Sequence, residues 1–406
     1  MFNDQKLHLD NTIIHECGNY HRQNTSRSVS WNCTGTMLAS ASSSAAKLWP
    51  CPESQSNPVL RELNQLKPIS SSSAPNNSSN NIGVDRVRFH PFEPSILCTN
   101  VEDKSVQIWD VRVNHKNHPK PFANIKLNSN SAKCAASTEW FGSSGSGSNE
   151  GNRGHTDKGH YLVITEKDNS VYVYDIRKLQ QQKKSQSGGI GRGKNHQVKP
   201  IRSFKMDPHI VFETHFTPSG SHLISAVKNG NNGMGCLIVY PWEENNSQDH
   251  NNNNKNVTNW ESTHTFMGHT AGPIYSLRFA PNGQQMSTGG NDALVGLWDV
   301  KHMVCTSTIS HKNKFIRSVS YSFDSKIVAC CTEEEGIDLA SSASGDLIGT
   351  VHLASSGRSG NSQKFGTGAD EVAFHPKSYI LACARGDFIG SQVPQVTIAK
   401  LQISSQ

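Results

Sequence analysis

The chain has 406 residues, of which 34% are apolar and 18% charged, and its 39 Lys+Arg against 33 Asp+Glu give a net charge of +6. No stretch approaches the run of about 18 apolar residues that a membrane span needs, and the apolar share is too high for a wholly disordered chain. We therefore expect a soluble globular protein and exclude a membrane protein.

The N-terminus and the cysteines favour an intracellular protein. Residues Met1–Asp10 mix charged and apolar side chains and lack the apolar core of a secretory signal. The ten cysteines contain no C-x-x-C pair, and several lie in apolar runs such as Ala329–Thr332 and Leu381–Cys383. We interpret them as reduced packing residues and not as disulfides or zinc ligands.

Seven segments repeat one pattern along the chain: a strand ending at an aromatic residue, a turn, a second apolar run, an Asp or Asn turn, and a third strand. The aromatic residues lie 42 to 76 positions apart, whereas a four-stranded propeller blade needs about 40–45. The pattern predicts an all-β fold, a seven-bladed β-propeller with inserted sequence. The aromatic residues that end the first strands are Trp31, Phe89, Trp140, Phe216, Phe279, Tyr321 and Phe374.

Polar low-complexity tracts account for the extra length. Seven blades of about 42 residues leave roughly 112 residues over. Tracts rich in Ser, Asn, Gly, Gln or Lys fill most of this excess, and they cannot bury enough apolar surface to form blades of their own. We place these tracts at about residues 67–81, 142–158, 179–198 and 243–256.

We therefore predict one propeller over residues 21–406, preceded by an N-terminal segment, 1–20. Within that segment we expect Thr12–Ile14 to close the ring by pairing with the seventh blade. We expect the outer strand of the first blade at Val59–Leu63. All tracts except 67–81 follow a first or third strand, so they share one face, here termed the insertion face. The opposite face, here termed the docking face, is better suited to binding a partner.

The fifth segment carries the most complete motif. Gly268-His269 lies 29 residues before Trp298-Asp299, and Asn291-Asp292 precedes the third strand. This segment resembles the WD-repeat family, in which a His, a Ser or Thr, an Asp and a Trp form a buried hydrogen-bonded tetrad. A His and an Asp could also serve as an acid–base pair, but we favour the structural role. The resemblance assigns the tetrad to His269, Thr288, Asp292 and Trp298.

Three regions resemble more closely the WD-repeat subunits of the nuclear THO complex, which packages nascent messenger RNA for export. They are Arg27–Gly35, Ala293–Val300, and the last two blades, where Ile337–Ala340 replaces the usual Trp-Asp pair. The resemblance implies a non-enzymatic nuclear scaffold that docks partner subunits for co-transcriptional mRNP assembly and mRNA export. It implies no cofactor, no metal, no membrane and no small-molecule substrate.

The same family indicates where a partner would dock. Positions four and six residues before each first-strand aromatic, and those near the turn Asp, lie at the rim of the docking face in WD-repeat proteins. Aromatic residues and Arg are the usual interface anchors. By that register the candidate docking residues are Arg27, Asp85, Glu102, Lys167, Phe212, Tyr275, Asn291, Phe315, Arg317 and Asp370.

The positive charge is concentrated in one segment. Between Ile176 and Met206 there are nine basic and no acidic residues, so the rest of the chain holds 30 basic against 33 acidic. Such a loop could bind RNA phosphates weakly and without sequence preference, or it could be a solvated linker. It contains no aromatic residue to stack on bases. The candidate RNA-contact residues are Lys183, Lys184, Arg192, Lys194 and Lys199.

Two short motifs point to other functional classes. Trp109–Arg112 matches the W-D-x-R sequence of many WD-repeat substrate receptors of cullin-type ubiquitin ligases, and this class is the alternative function. Gly188–Lys194 has the spacing of a phosphate-binding loop, but Asn195 follows it where Ser or Thr is needed. No nucleophile, base or metal cluster in the sequence indicates an enzyme.

Overall fold

The computed structural model describes residues 7–17, 26–52, 59–69, 82–112, 120–127, 137–141, 160–177, 199–242, 261–353, 368–385 and 396–405. Within these ranges the chain forms strands joined by turns. No helix in this part of the chain combines the length and the apolar character of a membrane span.

In the described part of the chain, twenty-nine strands form seven sheets, one per blade. Blade 1 contains β2 (Val29–Trp31), β3 (Met37–Ala41), β4 (Ala46–Pro50) and β6 (Asn64–Leu66). Blade 2 contains β7 (Val84–Phe89), β8 (Ile96–Val101), β9 (Ser105–Asp110) and β10 (Ala123–Lys126). Blade 3 contains β11 (Ser137–Trp140), β12 (Tyr161–Thr165), β13 (Ser170–Asp175) and β14 (Arg202–Lys205). Blade 4 contains β15 (Ile210–Phe216), β16 (His222–Lys228), β17 (Gly235–Pro241) and β18 (His264–His269). Blade 5 contains β19 (Ile274–Phe279), β20 (Gln285–Gly290), β21 (Val295–Asp299) and β22 (Val304–Ile309). Blade 6 contains β23 (Ser318–Tyr321), β24 (Ile327–Cys331), β25 (Ile337–Ser341) and β26 (Leu347–Val351). Blade 7 contains β27 (Glu371–Phe374), β28 (Ile380–Ala384), β29 (Val396–Ser405), β1 (Leu7–Cys17) and β5 (Val59–Leu60).

The blades are arranged in a closed ring. The first strands of successive blades contact one another in the order β2, β7, β11, β15, β19, β23, β27 and back to β2. Each of these strands ends at one of the seven aromatic residues of the repeat. The predicted seven-bladed β-propeller is therefore confirmed, and the repeat pattern located every inner strand.

The core lies between blades, not within them. Seven clusters of buried apolar side chains each join two neighbouring blades. The first-strand aromatics add hydrogen bonds across the same seams: the indole Nε1 atoms of Trp31 and Trp140 donate to the carbonyl oxygens of Ala373 and Arg88, both at 3.1 Å. A single blade therefore cannot bury its apolar faces alone, and ring closure matters for stability.

Two strands from the N-terminal part of the chain complete blade 7. β1 pairs antiparallel with β29 from Leu7 opposite Ser405 to Glu16 opposite Thr397. β5 pairs parallel with the end of β1, placing Val59 opposite Glu16. The outer strand expected at Val59–Leu63 is thus misplaced. Blade 1 takes β6 as its outer strand, because the chain first crosses to blade 7 and then returns.

The boundary placed between residues 20 and 21 and the tract limits stay predictions. Residues 18–25, 70–81, 142–159, 178–198 and 243–260 lie outside the described residues, so the predicted tracts do as well, apart from 67–69. The nine cysteines within the described part are free. Burial raises the pKa of the Cys330 thiol to about 12, as suits a packing residue.

Candidate functional site: the docking face and the ring axis

A row of aromatic rings crosses the docking face of blades 4, 5 and 6. Phe212 and Tyr275 lie near the beginnings of inner strands β15 and β19, and Phe315 precedes β23. The ring centroids of Phe212 and Tyr275 are 5.2 Å apart, and those of Tyr275 and Phe315 are 5.4 Å apart. All three side chains are half-buried. Because each inner strand begins at this face, the repeat brings residues far apart in sequence into one apolar row.

Charged groups hold one end of the row. The guanidinium carbon of Arg317 lies 5.0 Å from the ring centroid of Phe315. Arg317 pairs with Asp370 at 3.1 Å and with Glu333. The hydroxyl of Tyr275 donates to Asn291 at 3.1 Å. Six of the ten candidate docking residues thus form one connected surface.

The other four candidates lie apart from this row. Arg27 and Asp85 form a 3.9 Å ion pair between blades 1 and 2, in which the Arg27 side chain is 65% exposed. Glu102 is exposed and accepts a hydrogen bond from the amide of Gly83 at 3.1 Å. Lys167 is exposed in the turn between β12 and β13. These residues fit a rim better than a central contact.

The four tetrad residues meet in one buried hydrogen-bond chain. His269 contacts Asp292 through Nδ1 at 2.8 Å and Thr288 through Nε2 at 2.9 Å. The indole Nε1 of Trp298 donates to the same Thr288 hydroxyl at 3.0 Å. His269 comes from the last strand of blade 4 and the others from blade 5, so the chain fixes one blade against the next. A side chain at Gly290 would collide with the His269 ring, since its Cβ would lie 2.1 Å from Nδ1.

An ion network at the ring axis is the feature that sequence reasoning missed. Arg88 pairs with Glu371 at 2.5 Å and with Glu139 at 2.9 Å. Arg278 pairs with Glu213 at 2.7 Å, Glu371 at 3.5 Å and Glu139 at 3.7 Å. Several partners come from non-neighbouring blades: Arg88 is in blade 2 and Glu371 in blade 7, Arg278 in blade 5 and Glu139 in blade 3. These pairs therefore cross the axis.

The network is electrostatically satisfied. Burial alone would raise the pKa of Glu213, but Arg278, His215 and Arg86 hold it well below its usual range. Burial is likewise outweighed at Glu139, whose pKa is lowered by Arg88 and Arg278. The ligand atoms of Glu139, Glu213 and His215 lie within 4.8 Å of one another, as in a metal site. Because guanidinium groups already contact both carboxylates, the cluster is suited to holding blades together and not to binding a cation.

A sequence signal for this network does exist. Its members lie one or three positions before a first-strand aromatic. Because successive side chains of a strand point to opposite faces, these positions lie on the face opposite to the aromatic residue. Among the fourteen such positions, seven are the network residues, six are serines and one is Ala373. Five of these serines bridge neighbouring inner strands, as when Ser30 accepts from the amide of Phe89 at 3.0 Å, whereas the buried Ser137 hydroxyl makes no such bond among the described residues. The network residues are Arg86, Arg88, Glu139, Glu213, His215, Arg278 and Glu371.

Blade 6, which lacks the Trp-Asp pair, contains a buried ion pair. The Lys312 ammonium lies 3.2 Å from the Asp338 carboxylate, and both side chains are less than a tenth exposed. The Thr350 hydroxyl also donates to Asp338, at 2.9 Å. This arrangement links the loop before β23 to strands β25 and β26, a role that the tetrad fulfils in blade 5.

Of the candidate RNA-contact residues, one lies within the described part of the chain. Lys183, Lys184, Arg192 and Lys194 lie outside the described residues, whereas Lys199 is described and exposed.

Arg112 of the W-D-x-R sequence is folded back onto Asp110, with its Nε and Nη2 atoms donating to the Asp110 carboxylate at 3.1 and 2.8 Å.

Comparisons with known proteins agree with this architecture. The family described as "WD domain, G-beta repeat" matches residues 260–299, which contain the whole tetrad. The chain is 25% identical over 362 residues to THO complex subunit 3 of Arabidopsis thaliana, covering 89% of this chain and 86% of that protein. It is 23% identical over 342 residues to WD repeat-containing protein AAC3 of Dictyostelium discoideum, covering 80% of this chain and 57% of that protein. The similarity to the THO subunit predicted from sequence is confirmed.

Proposed function

We propose that this chain is a non-enzymatic scaffold subunit of a nuclear THO complex, which docks partner subunits for co-transcriptional mRNP assembly and mRNA export. The observation that carries the proposal is the similarity to the Arabidopsis subunit over nearly the full length of both chains. A scaffold role also fits the chemistry of the described residues, because the tetrad and the axial carboxylates are occupied by structural partners.

The aromatic row is the surface that we propose for docking. Its ring spacings of 5.2 and 5.4 Å are close to the 5.4 Å pitch of an α-helix. Apolar side chains one turn apart on a partner helix would therefore fall beside successive rings. Half-buried aromatic side chains and a stacked Arg are the composition expected of an interface centre. The acidic turn at Glu333 would favour a partner with basic residues at that end.

Affinity purification from nuclear extract tests the proposal. We expect the tagged wild-type chain to recover long helical subunits of the THO complex. A Tyr275→Ala, Phe315→Ala double variant should bind at least about thirtyfold more weakly and be recovered correspondingly less, since loss of central aromatic anchors costs about 2 kcal/mol or more. Phe92→Ala is the matched control, because Phe92 is an aromatic residue 44% exposed on the opposite face.

One result would overturn the scaffold proposal, and another would overturn the docking surface. One is recovery of ubiquitin-ligase components in place of THO subunits by the wild-type chain. The other is equal recovery by the double variant and the wild type, with thermal melting confirming that both are folded; this result would remove the aromatic row as the docking site.

A ubiquitin-ligase substrate receptor is the second candidate function. Its support is that the Asp110–Arg112 clamp recurs in the next blade, where Arg177 pairs with Asp175 at 2.9 Å. The Arg112 side chain is 71% exposed and so is available to an adaptor protein. If this function is right, Arg112→Ala abolishes co-purification of the ligase adaptor, whereas unchanged recovery excludes it.

A further inference from the structure

Four aromatic rings cluster where blades 3 and 4 meet on the insertion face. The centroids of Phe141 and Phe216 are 4.5 Å apart. Trp242 lies edge-on, 5.4 Å from Tyr161 and 5.1 Å from Phe216. Phe141, Tyr161 and Phe216 are buried, whereas Trp242 is half-buried. The cluster thus brings one large ring to the surface.

Two arginines stack on the outer rings of this cluster. The guanidinium carbon of Arg202 lies 4.7 Å from the ring centroid of Trp242. That of Arg177 lies 5.6 Å from the ring centroid of Tyr161, and its Nη2 donates to the Tyr161 hydroxyl at 3.2 Å. Guanidinium planes and aromatic faces are the groups on which proteins stack unpaired bases. The basic loop contains no aromatic residue, but this cluster on the propeller supplies aromatic groups next to the described ends of the loop.

The same surface lies at the root of the basic segment. The chain leaves the described residues after Arg177 and re-enters them at Lys199, which is exposed. Of the nine basic residues in the segment, Arg177, Lys199, Arg202 and Lys205 are described. Arg177 is compensated by Asp175 and Lys205 by Asp207, at 2.9 and 2.7 Å. The segment from Ile176 to Met206 holds nine basic and no acidic residues, and a basic segment beside stacking groups is the combination that attracts a flexible polyanion.

We propose that the Trp242–Arg202 stack, with Tyr161, Arg177 and Lys199, is a contact surface for single-stranded nucleic acid. Its phosphates lie along the basic side chains, and a base stacks against the arginine–aromatic layer. An acidic polypeptide would use the charge but would gain nothing from the stacked rings, so nucleic acid is the better fit. This site is on the opposite face from the aromatic row, and its test needs no partner subunit.

Fluorescence anisotropy with labelled oligouridine RNA and the purified full-length chain tests the site. Arg202→Lys keeps the charge but loses the planar stack, and we expect about tenfold weaker binding, within the range for loss of one stacking contact. Arg202→Gln should bind more weakly still and lower the slope of log affinity against log salt by about 0.7. Lys205→Gln is the matched control on the same strand; it should change affinity less than about twofold, because Asp207 already pairs with Lys205.

Four outcomes would overturn the inference. They are no RNA binding by the wild-type chain, equal binding by Arg202→Lys and the wild type, equal losses for Lys205→Gln and Arg202→Gln, and displacement of RNA by polyglutamate as effective as displacement by unlabelled RNA. Melting curves check that each variant is folded. A negative result here leaves the docking proposal intact, since co-purification of partner subunits is measured separately with Tyr275 and Phe315 variants.

Discussion

The Thr288 hydroxyl is the atom on which the buried hydrogen bonds of blade 5 converge. It contacts His269 at 2.9 Å and accepts from the Trp298 indole at 3.0 Å. Thr288→Val keeps the shape of the side chain but leaves both partners without this contact. Because each buried polar group left unsatisfied costs about 1–3 kcal/mol, we expect the free energy of unfolding to fall by about 3 kcal/mol in urea titration.

Thr99→Val in blade 2 is the matched control for that substitution. Thr99 is also fully buried and accepts from a third-strand indole, that of Trp109, at 3.0 Å. No His contacts the hydroxyl among the described hydrogen bonds of blade 2, so Thr99→Val removes the bond from the Trp109 indole and only a long 3.4 Å bond to the Gln107 carbonyl oxygen. We expect about half the destabilisation. Equal effects at the two sites would contradict the idea that the His link adds stability.

At the scale of elements, β1 contributes one face to the core and the other to solvent. Ile14 packs against the cluster that joins blades 6 and 7, whereas Ile13 is 43% exposed. Ile14→Asp should therefore lower the free energy of unfolding by about 2 kcal/mol, because it places a charge against the apolar cluster at a half-buried position. Ile13→Asp should change it by less than about 0.5 kcal/mol. Thermal melting of both variants tests this prediction, and similar losses would mean that β1 does not seal the ring through its inward face.

The strand pattern was readable from sequence, but some of the pairings were not. Each inner strand ends at an aromatic residue, so period-two alternation located it. The crossing of Val59–Leu60 to blade 7 leaves no such signal, since two residues are too few for a period. The Lys312–Asp338 pair also joins a loop to a strand 26 positions away, and only the folded blade brings them together.

At the scale of the whole molecule, the axial ion network depends on closure of the ring. Arg88 and Glu371 are 283 positions apart, yet their side chains meet at 2.5 Å. The alternation within inner strands predicts that such residues avoid the apolar side, but it does not predict which blade supplies the partner. That choice follows from the number of blades and the order in which they surround the axis. The docking row has the same origin, because its rings come from three successive blades.

Acid should weaken the ring through this network. The pKa values of Glu139 and Glu213 are lowered in the folded protein by nearby arginines, despite burial, whereas unfolded glutamates take up protons near pH 4.3. As pH falls below about 5, the unfolded chain therefore binds more protons than the folded chain, and the free energy of unfolding decreases.

Glu213→Gln should lower the free energy of unfolding by about 3 kcal/mol at neutral pH, because Arg278 and Arg86 lose a buried partner. It should also make the acid-dependent loss shallower than in the wild type. Urea titrations between pH 7 and 3 measure both effects, and parallel curves for the two proteins would exclude Glu213 as a source of the acid sensitivity.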